Sequence, residues 1–248
     1  MTDKKADPIL AFDNSTFLRS REGRPLRILS EYMEPEKRFK EQKINHTVVF
    51  FGSARLQPDN PYYQAAEEFA YRLTTMNREL QEEIGKEFCI ATGGGPGIME
   101  AANRGAARGD SKTIGLNIEL PFEQGNNGYI SPELNFEFNY FFMRKFWFLY
   151  HAKAIIVYPG GFGTLDELFE TLTLIQTSKL QKFKLSILLY DKNYWNDLIN
   201  FDKLIDMNLI SPEDMDLIHY FSDADEGVKI LKPMMKELME HLENYHEV

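Results

Sequence analysis

Apolar residues in this chain alternate between short solid runs and longer stretches in which they recur every three or four positions. The run at 47–51, Thr-Val-Val-Phe-Phe, carries no charge and reads as a strand buried on both faces, and 62–76 follows it with helical spacing. The same alternation predicts a strand over 88–92, a helix over 97–108 and a strand over 113–118. After a loop holding Pro121, Gly125, Gly128 and Pro132, it resumes as strand 135–138, helix 140–151, strand 154–158, helix 164–177 and strand 186–190. A helix over 194–207, a short strand over 218–221 and a helix from Ala224 close the pattern. Strands and helices in strict turn predict an α/β fold: a Rossmann-like, doubly wound, mostly parallel sheet with helices on both faces.

Residues 1–45 do not share this rhythm. They are rich in charge, with Arg19, Arg21, Arg24 and Arg27 followed by Glu31, Glu34, Glu36, Lys37 and Arg38. Leu26, Ile28, Leu29, Tyr32 and Met33 are spaced like one face of a helix, so an N-terminal helical arm is expected to dock on the domain at 46–248 or on a neighbouring subunit. A solvated linker with nascent helix is the alternative, and the basic run could also line a partner subunit's phosphate site. The 248 residues suffice for one α/β domain plus this arm.

Composition narrows the partners. Acidic residues outnumber basic ones 38 to 28, giving a net charge of −10 without a long basic block, so a nucleic-acid polymer meets repulsion over most of the surface. Small phosphorylated ligands need only a local positive site, which a helix N-terminus and one or two cations supply. The lone cysteine, Cys89, lies in the apolar run at 88–91 and excludes an intramolecular disulfide, which fits a reducing cytoplasm. No run of eighteen apolar residues is present, and the polar start at Met1 to Pro8 is unlike a secretory signal, so neither membrane insertion nor export is expected. His241 and His246 lie five apart, one more than the spacing that places two metal ligands on one helical face, so no metal site is expected there.

The chemistry concentrates at Pro159-Gly160-Gly161-Phe162-Gly163-Thr164-Leu165-Asp166-Glu167, which joins an apolar strand to a helix through a glycine turn. The glycines let the backbone approach an anion, the first free N–H groups of the helix point at it, and Thr164 adds a hydroxyl donor. Glu167, one turn in, is repelled by a phosphate and so should face a ribose or an attacking water; Glu170 shares its helical face, whereas Asp166 is expected to point to solvent or cap the turn. Gly52, Ser53 and Arg55 after the first strand, and Gly93, Gly94, Gly95 and Gly97 after the second, end at the same edge of the sheet, where such folds bind ligands. The triple glycine lacks the last glycine of GxGxxG, so dinucleotide binding is disfavoured. Asn117, Glu119 and Glu137 lie near strand ends without being singled out by a motif.

The stretch from Pro159 to Glu167 resembles the PGGxGTxxE signature of the LOG ("lonely guy") family. The Arg-Lys that the family carries on the preceding helix is matched by Phe142-Met143-Arg144-Lys145, and the likeness extends through Gly52 to Arg55, Thr92 to Glu100 and Asn208 to Pro212. The resemblance implies hydrolysis of the N-glycosidic bond of a nucleoside 5′-monophosphate, with Glu167 and Arg144 catalytic. The substrate-binding set is then Gly52, Ser53, Arg55, Gly93, Gly94, Gly95, Gly97, Lys145, Pro159, Gly160, Gly161, Gly163, Thr164 and Glu170. AMP or a cytokinin-like nucleotide is the expected substrate, and the chemistry requires no metal or redox cofactor. The family also implies a homodimer or higher homo-oligomer, for which the aromatic helix around Trp147 offers an interface, although a monomeric core explains the same residues. Its proteins have carried a lysine decarboxylase-like label, but nothing in the chain argues that a lysine holds pyridoxal phosphate. The rival reading is a non-catalytic binder of a phosphorylated ligand, such as a molybdenum-cofactor carrier or nucleotide sensor.

Overall fold

The computed structural model describes residues 8–120, 125–177, 179 and 185–241. Pro121 and His246 therefore lie outside the described residues. Seven parallel strands form one sheet in the order β4-β3-β2-β1-β5-β6-β7: β1 (Thr47–Phe51), β2 (Cys89–Thr92), β3 (Thr113–Ile118), β4 (Asn135–Phe138), β5 (Ala152–Val157), β6 (Ser186–Tyr190) and β7 (Ile218–Phe221). Every residue of β1, β2 and β5 is buried, as expected of strands covered on both faces.

The nine α-helices are α1 (Ser15–Arg19), α2 (Arg24–Glu41), α3 (Pro61–Ile84), α4 (Ile98–Arg108), α5 (Phe141–Tyr150), α6 (Phe162–Gln176), α7 (Lys192–Leu198), α8 (Phe201–Asp206) and α9 (Ala224–His241), counted among the described residues. One core, holding Phe69, Leu73, Ile98 and Met235, lies under α3, α4 and α9; the other, holding Trp147, Phe148, Leu168 and Trp195, lies under α5, α6 and α7.

The chain winds outward from β1 to β4 and then crosses back to place β5 against the other side of β1. Between those two strands the winding direction reverses, which leaves a crevice at their carboxyl ends. Pairing continues past the strands: Tyr158 N–H donates to the Phe51 carbonyl (2.9 Å) and Ser53 N–H to the Pro159 carbonyl (3.1 Å), so the two glycine turns leave the sheet side by side.

Two helices depart from the sequence pattern. α3 runs to Ile84, beyond the expected end at Met76, because Leu80 still reaches the core and the left-handed Gly85 (φ 68°) stops it. The helix expected over 194–207 is two: Ile199 is extended and the Asn200 side chain accepts the Lys203 N–H (2.9 Å), starting α8 afresh.

In the arm, α2 packs on the domain of its own chain, but through a stripe different from the expected one. Ile28, Tyr32, Pro35 and Phe39 face inward, while Leu26, Leu29 and Met33 are 44%, 51% and 56% exposed. Phe39 sets the phase, packing its ring at a tilt against Phe136 and Trp147 at ring separations of 4.9 and 5.3 Å.

Candidate active site

Three turns and one helix face meet in a cavity of about 780 Å³ at the crevice between β1 and β5. The turn after β1 brings Gly52, Ser53 and Arg55; the turn after β2 brings Gly93; the turn after β5 and the start of α6 bring Gly160, Gly161, Gly163, Thr164 and Glu167. Arg144 enters from α5.

The N-terminus of α6 opens on this space. Its N-cap, Gly161, has no side chain to cap with, and the first turn closes only at Leu165, whose N–H donates to the Gly161 carbonyl (3.0 Å). The N–H groups of Phe162, Gly163 and Thr164 therefore have no intrahelical partner, and they carry the positive end of the helix dipole. The Gly160 carbonyl accepts the Tyr194 hydroxyl (3.1 Å), which fixes the turn from behind.

Glu167 is 9% exposed on the second turn of this helix. Burial pushes its pKa up to about 7; Lys145 and Arg144 pull it back down in part, and Glu170 and Asp166 push it up again. Neither cation makes its closest contacts with Glu167. Arg144 donates from Nε to the Leu116 carbonyl (2.7 Å) and from an Nη to the Gly93 carbonyl (3.4 Å), with its guanidinium 5.0 Å from the Phe148 ring centre. Burial lowers its pKa and Glu167 opposes that shift, though a guanidinium keeps its charge. A β-carbon at Gly93 would press on the Arg144 guanidinium and the Met99 sulfur, so a larger residue there would have to displace Arg144 from its seat.

Several expected site residues do not line the cavity. Lys145 pairs with Asp166 (2.7 Å) and Glu170 (2.6 Å) on the outer flank of α6; burial lowers its pKa, but the two carboxylates outweigh this and raise it. Glu170 is thus engaged beside the cavity, and Asp166, expected to point to solvent or cap the turn, is exposed at the cavity rim while pairing with Lys145. Gly94 and Gly95 turn their carbonyls to the Asn127 side chain (both 3.1 Å), Pro159 gives its carbonyl to Ser53, and Gly97 (φ 70°) lies so close to the Ser53 and Ala54 backbone that no β-carbon fits. These four shape the turns from behind. Trp147, whose helix suits either an interface or a monomeric core, is buried within this chain; the exposed aromatics of α5 are Phe141, Phe142, Phe146 and Tyr150.

The sequence reading missed the apolar wall: Phe51, Met99, Phe141, Phe148, Phe162 and Leu198. Phe141, Arg144 and Phe148 stand at i, i+3 and i+7 of one helix, a spacing that was available as a signal. Phe162 occupies the variable position of the glycine motif and is 93% exposed at the mouth.

A family model described as "possible lysine decarboxylase" matches residues 99–231, over half of the chain. The chain belongs to the LOG family. The cytokinin riboside 5′-monophosphate phosphoribohydrolase LOG3 of Arabidopsis thaliana is 28% identical over 204 residues, 82% of this chain and 84% of that protein. The pyrimidine/purine nucleotide 5′-monophosphate nucleosidase of Escherichia coli is 34% identical over 112 residues, but those span 40% of this chain and 23% of that protein. In fold, the chain is similar to the molybdenum cofactor binding protein of Rippkaea orientalis (TM-score 0.52, 16% identity, 76% of this chain and 95% of that one). A molybdenum cofactor carrier protein of Chlamydomonas reinhardtii is similar to the same degree (TM-score 0.51, 16% identity, 78% and 99%). Despite the description attached to the LOG family model, no lysine lines the cavity among the described residues.

Proposed function

We propose that this protein hydrolyses the N-glycosidic bond of a nucleoside 5′-monophosphate, releasing the free base and ribose 5-phosphate. One observation carries the reading: a buried carboxyl with a pKa of about 7, Glu167, shares a cavity with Arg144 and the uncapped start of its own helix. The named activity of the plant and bacterial relatives supports it. The 5′-phosphate sits on the free N–H groups of α6, with Thr164 and Arg55 beside it, and this anchoring leaves the ribose over Glu167. The ionised carboxylate holds ribose hydroxyls and a water and stabilises the positive charge that develops at C1′ as the bond breaks. The bonding pair leaves with the base nitrogen, which takes a proton; water adds its oxygen to C1′ and gives up its own proton. Arg144 orients phosphate or sugar from the opposite wall.

The test is incubation of the purified protein with AMP, GMP, CMP, UMP and isopentenyladenosine monophosphate, with chromatographic separation of bases and Glu167→Gln in parallel. Base release by the wild type alone is expected. A folded protein that binds these nucleotides and returns them all unchanged refutes the hydrolase reading in favour of a carrier or sensor.

A further inference from the structure

The helix that presents Arg144 has no cap of its own. The N-cap position of α5 is Tyr140, whose side chain makes no capping hydrogen bond. The two residues that lead into α5 are instead held by the N-terminal arm: one carboxylate oxygen of Glu31, on α2, accepts the Asn139 N–H (2.9 Å) and the other accepts the Tyr140 N–H (3.2 Å). A carboxylate there also meets the positive end of the α5 dipole. The backbone carbonyl of the same Glu31 accepts the Trp147 indole N–H (2.9 Å), so one residue of α2 grips α5 at its start and again two turns later. Tyr32 adds ring contacts to Phe146 (5.6 Å) and Trp147 (5.8 Å). Arg144 lies between the two grips, and its own N–H donates to the carbonyl of Tyr140 (3.1 Å), the residue whose N–H Glu31 holds.

We infer that Glu31 is a positioning residue for Arg144, making the N-terminal arm a working part of the catalytic site; this rests on the hydrolase reading above. Without the clamp the first turn of α5 frays and the guanidinium drifts from its seat on the Leu116 and Gly93 carbonyls. A drift of about 1 Å at a group that orients substrate costs on the order of a hundredfold in rate.

The test uses the full chain with Glu31→Ala, Glu31→Gln and, as a control for lost charge on the same helix, Glu34→Gln, whose residue pairs with Arg38 at the surface. Glu31→Gln keeps the size and one acceptor in case the alanine variant does not fold. Expected are a ten- to hundredfold fall in kcat/KM for Glu31→Ala, a smaller fall for Glu31→Gln and wild-type values for Glu34→Gln. The pH profile separates positioning from general loss of structure. Glu167 faces Arg144 and Lys145 from α5 and Asp166 and Glu170 on its own helix, so displacing Arg144 moves the acid limb of kcat/KM to higher pH. Wild-type kcat/KM and an unshifted limb in Glu31→Ala overturn the inference. A wild type that releases base from none of the nucleotides fails the hydrolase reading instead. Amide hydrogen exchange over residues 139–145, read without substrate, then decides the clamp: faster exchange in Glu31→Ala supports it and unchanged exchange overturns it.

Discussion

Glu167→Gln removes a charge while keeping shape, and the structure gives it two opposite consequences. Catalytically, loss of a preorganised carboxylate costs about a hundredfold or more in kcat, equivalent to about 3 kcal/mol, with KM little changed because the phosphate anchors are intact. For stability the sign reverses. The carboxyl has a pKa of about 7 in the fold against an ordinary 4.5, so the folded state holds a proton that the unfolded chain has lost between those values. This proton contributes stability that is complete below pH 4.5 and lost as the pH rises through 7. Above that, burying the ionised form costs at most about 3 kcal/mol, which glutamine does not incur. Glu167→Gln is therefore expected to unfold several degrees above the wild type at pH 8, with the gap closing toward pH 4.5. In the wild type, ionisation at about pH 7 makes kcat/KM rise roughly tenfold from pH 6 to pH 8 if the anion is the active form. Calorimetry of both proteins at pH 5 and 8, with base release across pH 5 to 9, checks each part. A variant as active as wild type, or one less stable at pH 8, refutes the reasoning.

Arg144→Lys should not rescue function, since one ammonium cannot serve the Leu116 and Gly93 carbonyls in the fork geometry of a guanidinium; kcat/KM is expected to fall at least tenfold and urea unfolding to show a loss of about 1–3 kcal/mol. Burial, with Lys153 adding to it, lowers the pKa of His46 and of His151 to about 4, while unfolded histidine titrates near 6.5. The unfolded chain thus binds the extra protons, and each histidine removes up to about 2 kcal/mol of stability between pH 7 and pH 5, partly offset by Glu167; replacing both by glutamine should flatten the acid slope in denaturant titrations. Phe162→Ala removes a side chain that is 93% exposed, so the unfolding temperature should hold, while KM rises if the base rests on this ring at the cavity mouth.

The sheet was legible because strands buried on both faces leave largely apolar runs, which bound β1, β3 and β6, while the partly exposed edge strands β4 and β7 were placed by the alternation of strand and helix. The end of α3 was missed because 77–84 is mostly polar, although Met76, Leu80 and Ile84 keep the helical spacing and Gly85 marks the stop. At the site, Glu167, Arg144 and the glycines of α6 share one cavity because the motif encodes a local strand–turn–helix geometry whose direction the sheet fixes. The turn at 93–97 was over-read. Its composition suits an anion cradle equally well, and the residue that closes its carbonyls, Asn127, lies thirty positions on in a loop without periodicity. Leu198 and Glu31 were invisible for the same reason, since each reaches its place through a tertiary contact that leaves no local pattern.

The same helix both attracts the proposed ligand and carries the group that the ligand disturbs. A phosphate dianion at the start of α6 is favoured by the dipole, yet it lies within a turn or two of Glu167 and disfavours that carboxylate's ionised form. A pKa of about 7 in the free protein must then rise when nucleotide binds, unless a cation offsets the new charge. Lys145 is engaged with Asp166 and Glu170, whereas Arg144 bonds only carbonyls and keeps its full charge toward the cavity. Arg144 thus helps to keep Glu167 ionised in the complex, alongside Lys145 and the Arg55 placed beside the phosphate, and Arg144 and Glu167 are electrostatically coupled. The acid limb of kcat, which reports the complex, should accordingly lie above that of kcat/KM by a unit or less in the wild type and by more in Arg144→Ala. Equal displacement in both proteins would separate the two residues and leave Arg144 with ligand orientation alone.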